Sequence, residues 1–141
     1  MSGRPVILIV EDHPLVRRLV ADAVASLGYS TLTAESGDEA KQRLDQGLLP
    51  ALVLSDVRMP GALDGLALGR WIRAHRPGLP IVLQTAFADA VTGEFPVLRK
   101  PFTIDELRIA LEAWIGAMPH DPSESGSGTS SNRRRGNQST N

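Results

Sequence analysis

The chain has 141 residues, with 15 Lys and Arg against 16 Asp and Glu for a formal charge of −1, and 42% of it is hydrophobic. That size and balance describe one globular domain able to bury its own core, and they exclude a strongly basic nucleic-acid binder and an acidic disordered chain. Cysteine is absent, which excludes disulfides, thiolate metal sites and a cysteine nucleophile.

The first apolar run, Val6–Val10, is rich in β-branched residues and unbroken, the pattern of a strand buried on both faces. It is far too short to span a bilayer, and it leads straight into Glu11-Asp12, so neither a membrane segment nor a signal peptide is expected and the reading is a cytoplasmic protein. Pro14 suits the first turn of a helix. Leu15, Leu19, Ala23 and Leu27, with Val16, Val20 and Val24, predict its apolar face, and Gly28 its end. Residues 30–34 predict a short, weaker strand. Ser36-Gly-Asp-Glu39 reads as a capping box opening a helix to about Gln46. Residues 52–55 predict another buried strand, which delivers Asp56 at its end. Gly65–His75 has a helical pattern, and Arg76-Pro77-Gly78 turns the chain. Residues 81–84 and 97–99 predict the fourth and fifth strands, and Lys100-Pro101 stops the last. Thr103-Ile-Asp-Glu106 is a second capping box, opening a helix whose buried stripe is Leu107, Ala110, Leu111, Trp114 and Ile115. From residue 119 to residue 141 there is no Leu, Ile, Val, Phe, Tyr or Trp. Residues 1–118 are therefore read as one domain and 119–141 as a disordered tail, which carries Arg133-Arg134-Arg135.

Strands alternating with helices predict an α/β fold, a parallel sheet covered on both faces with right-handed crossovers. Ligands of such sheets bind beyond the carboxyl ends of the strands. Glu11 and Asp12 stand there after the first strand, Asp56 after the third, Thr85 at the end of the fourth and Lys100 after the fifth. Three carboxylates in one crevice repel one another unless protonated or neutralised by a cation. An all-oxygen donor set suits Mg²⁺. A lysine balances charge and grips a phosphoryl oxygen, and a threonine hydroxyl donates to the same group. An aspartate beside Mg²⁺ is a competent nucleophile toward phosphorus, giving an acyl phosphate. Taken singly, Glu11-Asp12 reads as a helix cap and Asp56 as a turn residue; the weight lies in their joint placement. His13, His75 and His120 lack metal-ligand spacing, and no glycine-rich phosphate loop or dinucleotide fingerprint is present, which argues against a nucleotide enzyme.

The set Glu11-Asp12, Asp56 with Met59-Pro60 and Asp64-Gly65, Thr85-Ala86, and Lys100-Pro101-Phe102 resembles the receiver domain of two-component response regulators over about residues 5–117. The resemblance implies a flavodoxin-like, doubly wound five-stranded sheet in the order 2-1-3-4-5. It implies that Asp56 accepts a phosphoryl group from a sensor histidine kinase or a histidine phosphotransfer protein. It implies Mg²⁺ held by Asp12, Asp56 and the backbone carbonyl of Arg58, with Glu11 in support. Thr85, followed by Ala86, is the implied switch hydroxyl, Lys100 the implied phosphoryl-binding cation, and Lys100–Pro101 the implied cis peptide ending in Pro101. Arg58 and Phe87 fall where the family tunes the access of water to the phosphoryl group.

Within that resemblance this chain has its own features. Residues Gly61, Ala62 and Leu63 widen the spacing between Met59-Pro60 and Asp64-Gly65, a form similar to small receivers found alone or at the end of hybrid histidine kinases. Only residues 86–99 lie between Thr85 and Lys100, so the family's fourth helix is expected to be short or absent, leaving Phe95 and Trp114 partly open. Val97 stands where the family often carries an aromatic switch residue. The expected function is phosphorelay signalling by a chain that is not itself an enzyme. Output is expected through a downstream protein and not through DNA, since no DNA-binding domain is recognised after residue 118 and the body of the chain is acidic. One alternative is a phosphate sink or shuttle in a hybrid-kinase relay. The other is a small Mg²⁺-dependent phosphohydrolase with an aspartate nucleophile, which would want a carboxylate where Arg58 stands.

Overall fold

Five strands and four helices alternate along the described residues of this computed structural model, which are 3–86 and 93–116. They are β1 (Val6–Val10), α1 (Pro14–Ser26), β2 (Ser30–Ala34), α2 (Gly37–Asp45), β3 (Leu52–Asp56), α3 (Gly65–His75), β4 (Ile81–Thr85), β5 (Val97–Arg99) and α4 (Ile104–Ile115). The strands form one sheet in the order β2-β1-β3-β4-β5, and every neighbouring pair is parallel. This is the expected flavodoxin-like arrangement. Residues 87–92, where the expected short fourth helix falls, and the tail from residue 119 lie outside the described residues.

The two-residue period of the strands splits the core into two layers. Leu8, Val10 and Val53 face α2 and α3, where Ala40, Leu44, Leu68 and Ile72 meet them. Ile7, Ile9, Leu52, Leu54 and Val82 face α1 and α4, packing on Val20, Val24, Leu107 and Leu111. At ~1.5–3 kcal/mol for each fully buried aliphatic side chain, these layers are the main force holding the sheet between its helices. Gln84 is the polar exception. It is fully buried, and neither its amide nitrogen nor its amide oxygen has a partner among the described residues.

Two helix faces differ from the sequence reading. Leu15 and Leu19 of α1 are 60% and 59% exposed, whereas Val20 and Val24 are buried. Successive helical residues are about 100° apart, so seating the Val16–Val20–Val24 line on the sheet turns the Leu15–Leu19 line outward. On α4, Leu107 and Leu111 are buried but Trp114 is 51% exposed, so the stripe is narrower than predicted. The caps also differ in detail. Thr103 and Glu106 form the complete reciprocal box. Ser36 caps α2 by accepting from the Glu39 N–H, but the Glu39 carboxylate accepts from the Glu35 N–H instead of that of Ser36.

Residues 93–96 lead into β5 without helical structure and rest on α3. The Phe95 ring lies over Gly69, where a Cβ would come within 2.9 Å of it. The Arg73 guanidinium is 4.8 Å from the centre of that ring and pairs with Glu94 at 3.1 Å. A cavity of about 210 Å³ between α3, Phe95 and Trp114 leaves both aromatic residues partly open, as expected.

The join between β3 and α3 depends on a glycine. A Cβ on Gly65 would stand 2.1 Å from the Asp56 carbonyl oxygen and 2.8 Å from the Val57 Cα. Backbone cannot step aside as a side chain does, so Gly65→Ala should lose stability at or beyond the upper end of the ~1–3 kcal/mol typical of overpacking. Gly78→Ala, with open space around it, should stay within about 0.5 kcal/mol. Urea unfolding followed by circular dichroism measures both; equal midpoints would contradict this account.

Candidate functional site

The strand order creates the site. From β1 the chain passes to β2 on one side and to β3 on the other, so a crevice opens where their carboxyl ends diverge. Val10 is in register with Ser55, which sets Glu11 and Asp12 beside Asp56. Carboxylate oxygens of Glu11, Asp12 and Asp56 all lie within 4.8 Å of one another. At the neighbouring strand ends, the Lys100 N–H donates to the Thr85 carbonyl at 2.9 Å, which ties the exit of β5 to the end of β4.

Each side chain has a definite local cause. Glu11 is only 2% exposed. Its Oε1 lies 3.2 Å from Lys100 Nζ, and its Oε2 accepts from the His13 N–H at 3.1 Å. Asp56 ends β3 with its Oδ1 accepting from the Val57 N–H at 2.9 Å and 3.8 Å from Lys100 Nζ. Lys100 thus sits closer to Glu11 than to Asp56. The Lys100–Pro101 peptide is cis. Thr85 is fully buried, and Ala86 beyond it is exposed. Arg58 is exposed on the loop after β3, beside Met59, Pro60 and Asp64. Phe87 lies outside the described residues.

Two residues beside the cluster shape it without belonging to it. His13 is exposed and is the N-cap of α1, with Nδ1 accepting from the Val16 N–H at 3.4 Å. Arg17 Nη1 donates to the Glu11 carbonyl at 2.9 Å and reaches the Asp12 carbonyl at 3.5 Å. It staples the turn that presents both carboxylates. The i→i+4 spacing from His13 to Arg17 places the arginine above that turn, but carbonyl acceptors leave no mark in a sequence.

Without a cation the cluster is electrostatically strained. Burial pushes the Asp56 carboxyl up from 3.8 to about 6; Lys100 pulls it back down, and Glu11 adds to the rise. An oxygen-only donor set whose charges repel fits a hard divalent cation, and Glu11, Asp12 and Asp56 are the side chains that could hold one.

A raised acid pKa has a definite sign in stability. The folded state holds the Asp56 proton more tightly than the unfolded chain does. Its contribution is fully present below pH 3.8 and is lost as pH rises through about 6. In chelator, Asp56→Asn should therefore match the parent in melting temperature near pH 3.8 and exceed it above pH 6. A variant less stable than the parent at neutral pH would contradict this.

The response regulator receiver domain pattern matches residues 7–112. The chain is 39% identical over 119 residues to the DNA-binding transcriptional regulator NtrC of Escherichia coli K12, a match covering 79% of this chain and 25% of NtrC. It is 41% identical over 115 residues to the sensor histidine kinase RcsC of Salmonella typhi, covering 77% of this chain and 12% of RcsC. The chain thus spans a quarter or less of the length of these relatives. Among solved structures, it is similar to the response regulator TrrA of Thermotoga maritima in complex with Mg²⁺-BeF, at 30% identity and a TM-score of 0.72, over 78% of this chain and 98% of that one. It is also similar to the receiver domain of a Pseudomonas aeruginosa sensor histidine kinase with magnesium coordinated in its active-site cleft. That likeness has 32% identity and a TM-score of 0.70, over 82% of this chain and all 100% of the other. Pattern, relatives and fold agree with the crevice built here from its residues: the chain belongs to the response regulator receiver domain family.

Proposed function

We propose that the chain is a cytoplasmic Mg²⁺-dependent phosphoryl acceptor in a two-component relay, taking its phosphoryl group on Asp56 from a histidine kinase or histidine phosphotransfer protein. The observation that carries this is the position of Asp56, at the end of β3, within 4.8 Å of Glu11 and Asp12 and 3.8 Å from Lys100.

The transfer follows from these groups. An oxygen of the Asp56 carboxylate attacks the donor's phosphorus, a P–O bond forms as the P–N bond to the histidine breaks, and the electron pair leaves with the imidazole. Bound Mg²⁺ would neutralise the charge that gathers on the phosphoryl oxygens. Lys100, 3.8 Å from Asp56, would ion-pair with one of those oxygens, and the Thr85 hydroxyl would donate to another. Val57 N–H holds the acceptor carboxylate in one orientation before the reaction begins. The work is mostly positioning and electrostatics, which suits a small domain acting on its own side chain.

The reading treats the chain as a signalling module and not an enzyme with turnover. The place of a second acid–base carboxylate, two residues beyond Asp56, is taken by Arg58. Output is read as contact with a downstream protein. The likeness to the receivers of sensor histidine kinases also supports a phosphate shuttle within a kinase relay.

Incubation with labelled acetyl phosphate and Mg²⁺ tests the proposal. One equivalent of acid-stable, base-labile label is expected on the parent and none on Asp56→Asn, with the variant still folded by circular dichroism. Sustained turnover of a chromogenic phosphate ester would sink it in favour of a phosphohydrolase. Mg²⁺ should also raise the melting temperature, since it binds the folded state alone, and Asp12→Ala should remove that rise. An unchanged midpoint in the parent would contradict the metal site.

A further inference from the structure

The loop that leaves the acceptor strand is held by residues outside the crevice. Residues 57–64 depart from β3 and are anchored where α3 begins. Gly65 N–H donates to the Val57 carbonyl at 2.8 Å, and Asp64 caps α3 by accepting from the Ala67 N–H at 2.8 Å. The outer part of the loop rests on the first turn of α2. Gly37 is buried beneath Leu63, and a Cβ there would stand 2.4 Å from the Leu63 carbonyl oxygen and 2.8 Å from its Cβ. Asp38 Oδ2 accepts from the Ala62 N–H at 3.2 Å. Gly61 turns the loop at a φ of 104°, and a Cβ on it would come within 2.9 Å of the same Asp38 oxygen. The three residues that widen this loop, Gly61, Ala62 and Leu63, are thus the ones that touch α2.

We propose that Gly37 and Asp38 are positioning residues for the cation site, and that by fixing the path of residues 57–64 they set its preference for Mg²⁺ over the larger Ca²⁺. This rests on the reading above, in which the Arg58 carbonyl joins Asp12 and Asp56 as a ligand. A side-chain ligand can be re-aimed by changing rotamer; a backbone carbonyl points only where its loop puts it. Mg²⁺ demands near-octahedral geometry with bonds of about 2.0–2.1 Å, whereas Ca²⁺ accepts six to eight oxygens at about 2.3–2.6 Å in looser arrangements. A loop released from α2 therefore forfeits more Mg²⁺ than Ca²⁺ binding. Loss of a hydrogen bond made directly to a metal ligand typically costs ~10–100-fold in metal affinity, and Asp38 acts further out, through Ala62, so the lower end of that range applies. Asp38 is exposed and outside the carboxylate cluster, so losing its charge alone would weaken both ions alike. The ratio of the two affinities separates positioning from charge.

The test is calorimetric titration of the full chain with Mg²⁺ and with Ca²⁺, for the parent, Asp38→Ala, Asp38→Asn and Gly37→Ala. Asp38→Ala and Gly37→Ala are expected to weaken Mg²⁺ by about 10-fold and Ca²⁺ distinctly less. Asp38→Asn, which keeps an acceptor oxygen for Ala62, should retain the parent's ratio. If Asp38→Ala leaves the ratio unchanged while the parent binds Mg²⁺, the inference is overturned and the metal site stands. If the parent binds neither ion, or Asp12→Ala binds both as well as the parent does, the metal site itself is wrong and the inference falls with it. Should Gly37→Ala fail to fold, the exposed Asp38 pair decides the question alone.

Discussion

Like charges brought together by the sheet are the constraint on which the rest of this molecule turns. The register of β1 on β3 leaves no freedom in where Glu11, Asp12 and Asp56 stand, and their oxygens fall within 4.8 Å of one another. Repulsion among them opposes folding, and the apolar layers on both faces of the sheet supply the stability that tolerates it. Local devices make the arrangement specific. Lys100 stands 3.2 Å from Glu11 and 3.8 Å from Asp56, Arg17 fixes the carbonyls behind the first two carboxylates, and Val57 N–H orients the third. Carboxylates held this close are groups that a bound cation would stabilise by differential binding energy.

Much of this was legible in the sequence, because strands buried on both faces announce themselves as unbroken apolar runs. Val6–Val10 and residues 52–55 fixed β1 and β3, and with them the carboxylates at their ends. The turn prolines and the Thr103–Glu106 box likewise marked boundaries through local chemistry. What was not legible depends on which of several apolar lines a helix turns inward. Leu15 and Leu19 are as hydrophobic as Val20 and Val24, and only the position of the sheet decides between them. Trp114 is a related case: α4 packs Leu107, Ala110, Leu111 and Ile115 on the sheet, while Trp114 stands 51% exposed beside the cavity next to Phe95. Arg17 and Asp38 stayed hidden because their partners are backbone groups, those of Arg17 six and five residues away and that of Asp38 24 residues away. Gln84 reads as an ordinary strand residue, and nothing in the sequence marks its amide as buried without a partner among the described residues.

The described end of the connection into β5, residues 93–96, is anchored on α3. The Phe95 ring fills the space that Gly69 leaves on α3, and Arg70 and Arg73 both reach Glu94 beside it. These ion pairs are exposed, so each adds little by itself; the apolar contact of Phe95 is the stronger anchor. The segment is thereby fixed at the end nearest β5, while its other end begins at Thr85 and Ala86 in the crevice.

Lys100 links that connection to the chemistry. Its side chain stands between Glu11 and Asp56, and its backbone N–H is bound to the Thr85 carbonyl at 2.9 Å. In the proposed reaction Asp56 gains a phosphoryl group, whose added negative charge competes with Glu11 for the ammonium. Glu11 is nearly fully buried and also accepts from the His13 N–H, so it cannot follow the lysine by turning outward without losing that bond. The ammonium is the more mobile partner, on a flexible stem that ends β5. A shift of Lys100 toward Asp56 therefore leaves Glu11 with less compensation just as bound Mg²⁺ would add positive charge to the same cluster. The two events would be mutually supportive, since Glu11 would hold the lysine less strongly with a cation bound beside it. The backbone of Lys100 is tied to Thr85, so in that proposed exchange the ends of β4 and β5 would respond together, through one backbone hydrogen bond.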